Sequence, residues 1–240
     1  MRRVLSRIGI GAATVDTVLP AGELRPGETV TVDVELYGGN STQDIEGIYL
    51  VLTARAASDG AHELAEFVVE RRLTLDPGEE RTIQADVEVP LWTPITVGGV
   101  SVRLETRLDV DWSRDPTDED GVEVVPDDAV AALFDALDEM GFGLRGSELD
   151  EVPHVEDRPL AQRFRFEPTG GPYEAELDSI EVTPMPRGDD IRVFVEFDRA
   201  GTIADEHGLD FDKQEVSMTF DRASVPAIRR RLEAGIERNA

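Results

Sequence analysis

The 240-residue chain contains no cysteine. Disulfides, thiolate nucleophiles and cysteine metal sites are excluded together. Lysine is almost absent, Lys213 being the single example. Aromatics are sparse, at nine Phe, three Tyr and two Trp. Carbohydrate sites present exposed aromatic platforms, so this composition weakens a sugar-binding reading. Long apolar runs are missing too. The richest, "IYLVLTARAA", is short and carries an arginine, far from the about 20 apolar residues of a membrane span. The start, "MRRVLSRIGIGAATVD", has positive charge but too short an apolar stretch and no cleavage site. It reads as a cytoplasmic N-terminus rather than a signal peptide.

Acid is what the chain has in abundance. Asp and Glu number 51 against 24 Lys and Arg, a net charge of -27. Phosphate backbones need basic contacts, so nucleic acid is not an expected partner. High Asp and Glu with almost no Lys is the composition of a salt-adapted proteome. In about 1 M salt the Debye length is about 3 Å, so dense carboxylates barely repel while their hydration keeps the chain dispersed. The acidity then reports habitat rather than a basic partner.

Period-two alternation fills the first half. Val30, Val32, Val34 and Leu36 share one parity, as do Ile48, Leu50, Leu52 and Ala54. Phe67, Val69, Leu73 and Leu75 do the same in "EFVVERRLTL", and Ile83, Ala85, Val87 and Val89 follow. The clearest run is Val100, Val102, Leu104, Thr106, Leu108, Val110 and Trp112, with Arg103, Glu105, Arg107, Asp109 and Asp111 opposite. Strands with one wet face and turn residues between them predict an antiparallel β-sandwich. Residues 113–121, "SRDPTDEDG", form a hydrophilic break, which sets the expected domains at 1–119 and 120–240. Helices are expected near 127–140, with Val130, Leu133, Phe134, Leu137 and Met140 on one face, and near 224–238, with Val225, Ile228, Leu232 and Ile236. Between them lie the strand-like runs "RFRFEP", "AELDSIEVTPM", "DIRVFVEFD" and "EVSMTF".

Sites for chemistry are scarce. His62, His154 and His207 are far apart in polar settings. "GIGAA" lacks the Gly-Lys-Ser ending of a phosphate loop. "DPTDEDG", Asp115 to Gly121, misses calcium-loop spacing: glycine falls seventh, and Pro126 stands where a bidentate Glu is needed. No catalytic, cofactor or metal residue is therefore assigned, and no enzyme is expected. Arg2, Arg3 and Arg7, with Val4, Leu5 and Ile8, form a basic amphipathic arm suited to weak contact with an anionic membrane surface or to packing on the protein itself. Arg103 and Arg107 are candidate contacts with a partner.

The strings "PLWTPITVG" and "FEPTGGPY", with "GIGAATVDTVL", "RPGETVTVDVELYGGNSTQDIEGIYLVL" and "ALDEMGFGL" in order, resemble the sporulation-control protein M family over about residues 4–236. The resemblance implies an arrestin-like, mainly β fold of two tandem sandwiches, with a helix after the first domain and another at the C-terminus. It implies a regulatory or adaptor protein acting through other proteins in developmental, stress or division control. A ligand-binding sandwich, for example for carbohydrate, is the alternative. Asp198 and Arg199, in "FDRAGTI", match an acidic-basic step of the family and are candidates for an interdomain ion pair. Two departures stand out: the haloarchaeal-type acidity, and a short C-terminal end after Phe220.

Overall fold

The computed structural model describes residues 13–19, 22–56, 60–110, 117–152, 159–187, 190–200, 214–221 and 224–239. The chain divides into two compact units. One comprises Met1–Arg55, Gly60–Ile95 and Ser101–Val125; the other comprises Ala56–Asp59, Thr96–Val100 and Pro126–Ala240.

The first unit is all β. Its strands are β1 (Thr14–Val18), β2 (Glu23–Leu24), β3 (Thr29–Tyr37), β4 (Gln43–Arg55), β5 (Ala61–Glu70), β6 (Leu73–Leu75), β7 (Glu80–Glu88), β8 (Ser101–Val110) and β9 (Thr117–Val124). A three-stranded sheet has the order β1-β3-β7, and a six-stranded sheet the order β2-β9-β8-β4-β5, with β6 beside β4. Contacts of β1 with β8 and β9, and of β5 with β7, hold the two sheets face to face. The core is the expected parity: Val32, Val34 and Leu36 from one sheet, and Leu50, Leu52, Val102, Leu104 and Leu108 from the other, are essentially inaccessible.

Two expectations shift in detail. "EFVVERRLTL" is two strands, β5 and β6, parted at Arg71–Arg72. Leu75 is buried, whereas Phe67 and Val69 are half-buried. And Thr117–Gly121, expected as the end of a hydrophilic break, is the first part of β9, paired antiparallel with β8 from Arg107↔Thr117 to Val102↔Val122. Acid content hid this strand, because in so acidic a chain carboxylates mark exposed strand faces as well as loops.

The second unit contains α1 (Asp128–Glu139), β10 (Phe142–Glu151), β11 (Leu160–Pro168), β12 (Leu177–Arg187), β13 (Asp190–Arg199), β14 (Gln214–Asp221) and α2 (Val225–Asn239). The five strands form one antiparallel sheet in chain order, so β10 and β14 are its two edges. Among the described residues, the layer on this sheet is helical rather than a second sheet. The apolar stripes explain why. Val130, Leu133 and Leu137 of α1 and Ile228, Leu232 and Ile236 of α2 are buried, each side chain contributing about 1.5–3 kcal/mol. Phe134 meets Phe164 and Phe166 edge-on, at 4.9 and 5.3 Å between ring centres. The Asp127 carboxylate caps α1 by accepting from Val130 N at 2.8 Å.

The segment between β7 and β8 follows its proline–glycine pattern. Thr93 N donates to Pro90 O at 2.9 Å, closing a turn just after β7. Gly98 and Gly99 then take φ of 65° and 98°, and Val100 N returns to Val97 O. Those positive angles are open to glycine and strained for other residues.

Candidate functional site

The unit-two sheet buries one face under the helices and leaves the other open. On the open face, β10, β11 and β12 carry charge in alternating sign. Glu148 lies directly opposite Arg163, and Arg165 opposite Glu181. The period of two that buries Phe164 and Phe166 sends Arg163 and Arg165 outward. A β-bulge between Leu144 and Gly146 inserts Arg145 as an extra residue, whose guanidinium reaches Glu167 at 3.1 Å.

These side chains form a connected lattice. Arg163 approaches Glu148 at 2.8 Å, Asp150 at 3.5 Å and Glu181 at 3.6 Å. Arg165 bridges Glu167 at 3.3 Å and Glu181 at 3.6 Å. Partial burial works against the charge on Arg163, but Asp150 first, then Glu148 and Glu181, outweigh it and its pKa rises. The lattice surrounds an open recess of about 240 Å³, floored by Gly98, Gly146 and Ser147. Ser147 Oγ donates to Val97 O at 2.8 Å and accepts from Gln162 at 3.0 Å. Its hydroxyl therefore fixes the turn at Gly98 and is engaged as a structural group. The charged residues of the recess pair with neighbouring side chains and present a pattern of alternating sign, and none of them is hydrogen-bonded to this hydroxyl as a base.

The residues singled out from the sequence fall elsewhere. Arg2, Arg3 and Arg7 lie outside the described residues, as do His154 and His207. Arg103 and Arg107 project from the exposed parity of β8. Each is taken by a carboxylate: Arg103 by Glu119, and Arg107 by Glu105 at 2.8 Å. The bond to Glu105 raises the Arg107 pKa. Asp198 lies opposite Ser179 within the unit-two sheet and accepts from its hydroxyl at 3.3 Å. Arg199 is the last residue of β13. His62 is half-buried on β5, opposite Ala54.

The fold also assembles a group that sequence spacing did not reveal. Carboxylate oxygens of Asp16, Asp118 and Asp120 lie within 4.8 Å of one another, all half-buried. Asp118 accepts from Thr17 N at 3.0 Å, next to the buried pair Thr17 Oγ1 and Thr106 Oγ1. These three are the described residues with the donor set to hold a cation. A sequence signal existed: Asp118 and Asp120 share the parity of the buried Val122 and Val124. The same holds for the lattice, where "RFRF" shows alternation but not the cross-strand register that pairs each arginine with an acid.

Among the described residues, no helix is long and apolar enough to cross a membrane. The family model described as SpoOM protein matches residues 1–201. The sporulation-control protein spo0M of Bacillus subtilis (strain 168) is 34% identical over 206 residues, covering 82% of this chain and 80% of that protein. The crystal structure of Spo0M from Bacillus subtilis superposes with a TM-score of 0.84 at 29% identity, covering 96% of this chain and 100% of that one. The mainly β fold, the order of its elements and these matches agree, and the chain belongs to the SpoOM family of sporulation-control proteins.

Proposed function

We propose that this protein is a non-enzymatic cytoplasmic regulator of its family that works by binding other proteins. The observation that carries this reading is the lattice of Arg145, Arg163 and Arg165 with Glu148, Asp150, Glu167 and Glu181 on an open sheet face. Half-exposed ion pairs of this kind contribute about 0–1 kcal/mol to stability. Alternating fixed charges on a broad face serve specificity and register between two protein surfaces far better. The recess is open and no aromatic residue lines it, which favours a protein partner over a sugar. Family likeness extends the role, by analogy, to developmental, stress or division control. Weak membrane contact through Arg2, Arg3 and Arg7 remains a separate part of the proposal.

The test is affinity capture in about 1 M KCl, where long-range fields are screened. Wild-type protein is compared with Arg163→Glu and Arg165→Glu. The expected outcome is a defined protein partner retained by the wild type and lost from both variants. Retention by both variants refutes the lattice as the docking face. Turnover of a substrate with no retained protein refutes the adaptor reading itself.

A further inference from the structure

A second surface of this unit has a distinct chemistry. β14 is an edge strand, and no described strand pairs with its outer side. A groove of about 600 Å³ runs beside it, lined by Val216–Thr219 of the strand and by one stripe of α2. That stripe is Ala227, Arg230, Arg231, Ala234 and Arg238, residues spaced at three, four, seven and eleven along the helix. Alanines make its floor and arginines its rim. The opposite stripe, Ile228, Leu232 and Ile236, is buried, so packing fixes which face the arginines present.

All three arginines are exposed. None pairs with a described carboxylate, in a chain with more than twice as many acids as bases. Arg231 donates to the backbone oxygen of Thr219 and stacks over Phe220 at 5.2 Å. Arg238 donates to Ala234 O of its own helix. A guanidinium on a single neutral acceptor keeps further donors for a carboxylate, which adds opposite charge and a bidentate match to its planar fork.

We propose that the β14 edge and the arginine stripe of α2 take an extended, acidic segment of a partner protein as an added strand. The ladder would supply affinity and the arginines the choice of charge. The spacing suits this. Arg230 and Arg238 stand about 12 Å apart along the helix axis. Acids four residues apart on one parity of a strand stand about 13 Å apart. The assignment names a partner class for a surface distinct from the charged lattice, and it rests on the reading that the protein binds proteins.

The test is fluorescence anisotropy of full-length protein with a labelled peptide Glu-Val-Glu-Val-Glu-Val-Glu, run in about 1 M KCl so that the net negative charge does not repel the probe at a distance. Saturable binding is expected. The Gln-for-Glu peptide should bind at least about tenfold more weakly, as should Arg230→Glu and Arg231→Glu proteins, a loss of about 1.4 kcal/mol. Alternate N-methylation of the peptide should abolish binding through loss of the ladder. Arg229→Ala should not alter affinity, since Arg229 faces Glu139 and Glu233 instead. Circular dichroism confirms that each variant is folded, and Arg230→Ala repeats the test with a milder change. Four results overturn the proposal: no binding, equal binding of the Gln peptide, undiminished binding by the arginine variants, or self-association of the charge-reversed protein without peptide binding, which would make the arginines mere guards of the edge. The adaptor reading survives any of these if the lattice variants lose a captured partner.

Discussion

Replacing Gly98 with alanine should detach the turn it forms from β10. Gly98 has φ of 65°, where an L-residue costs about 1–2 kcal/mol. An added Cβ would lie 2.5 Å from Ser147 N and 2.7 Å from the Gly146 carbonyl carbon. Both are backbone atoms, so no rotamer change relieves the clash. The turn must lift, which breaks Ser147 N–H to Gly98 O at 3.0 Å and Ser147 Oγ–H to Val97 O at 2.8 Å. Each such bond is worth about 1 kcal/mol. The expected loss is about 3–5 kcal/mol, large for one methyl group. Urea denaturation measures it, and hydrogen exchange localises it: the Ser147 amide should lose protection while the β12–β13 ladder keeps its own. Gly121→Ala is the matched control, because nothing lies within 4 Å of its added Cβ; it should stay within about 0.5 kcal/mol. A loss below about 1 kcal/mol for Gly98→Ala, or a still-protected Ser147 amide, would refute this account of the turn.

Thr106→Val should cost about 1–3 kcal/mol by stranding the buried Thr17 hydroxyl 2.5 Å away, and adding Thr17→Val should restore most of it; equal losses for single and double variants would contradict that. A hydrogen bond to Glu35, then burial, pushes the Tyr37 pKa up from 10.0 to about 12. The folded value is the higher one, so this contribution to stability is full below about pH 10 and is lost as pH rises through about 12. Phenolate absorbance should show a step near 12 that Tyr37→Phe removes. With a net charge of -27, thermal stability should fall steeply below about 0.5 M KCl; an unchanged Tm between about 0.1 M and about 3 M would defeat the halophilic reading. Arg103→Glu, which sets like charges beside Glu119, should cost no more than about 1 kcal/mol in denaturation and leave partner capture intact, unlike Arg165→Glu.

Strand parity was legible wherever a strand was regular. Val100 to Val110 alternate in the sequence and are buried in alternation. β4 keeps its expected parity, with Ile48, Leu50, Leu52 and Ala54 all buried, but Val51 is buried as well, and Ile45 falls on the other parity across the register shift at Ile45/Gly47. A central strand, here between β8 and β5, writes a nearly continuous apolar run once a residue of the other parity, Val51, is buried too. Both helices were legible to within a residue or two, since an apolar stripe and a cap are local features. The lattice was not. Arg163 and Glu148 are 15 residues apart, and only the register of β10 against β11 makes them opposite. The place of the α2 arginines beside an open strand was not legible either, because a sequence does not say which strand ends at a sheet edge.

Arginine is the scarce reagent on this surface, so its placement is more informative than that of any acid. Across the first unit, Arg72, Arg81, Arg103 and Arg107 each meet a carboxylate. Such pairs lower the local density of negative charge and leave little attraction for a further partner. The lattice goes one step further: Arg163 and Arg165 each contact more than one acid, which fixes the guanidinium planes and makes the face a rigid pattern. A rigid pattern discriminates, because a partner with mismatched charge must break pairs that already exist. Arg230, Arg231 and Arg238 have no described acid to release, so a carboxylate gains there without displacing one. The two surfaces thus have opposite economies of charge. The lattice can select a partner by register at little net gain in affinity, whereas the groove can contribute affinity for any suitably extended acidic strand. A protein using both would hold one partner through two unlike contacts: charge reversal at the lattice would reject the matched partner, whereas loss of the groove's arginines would shorten its residence.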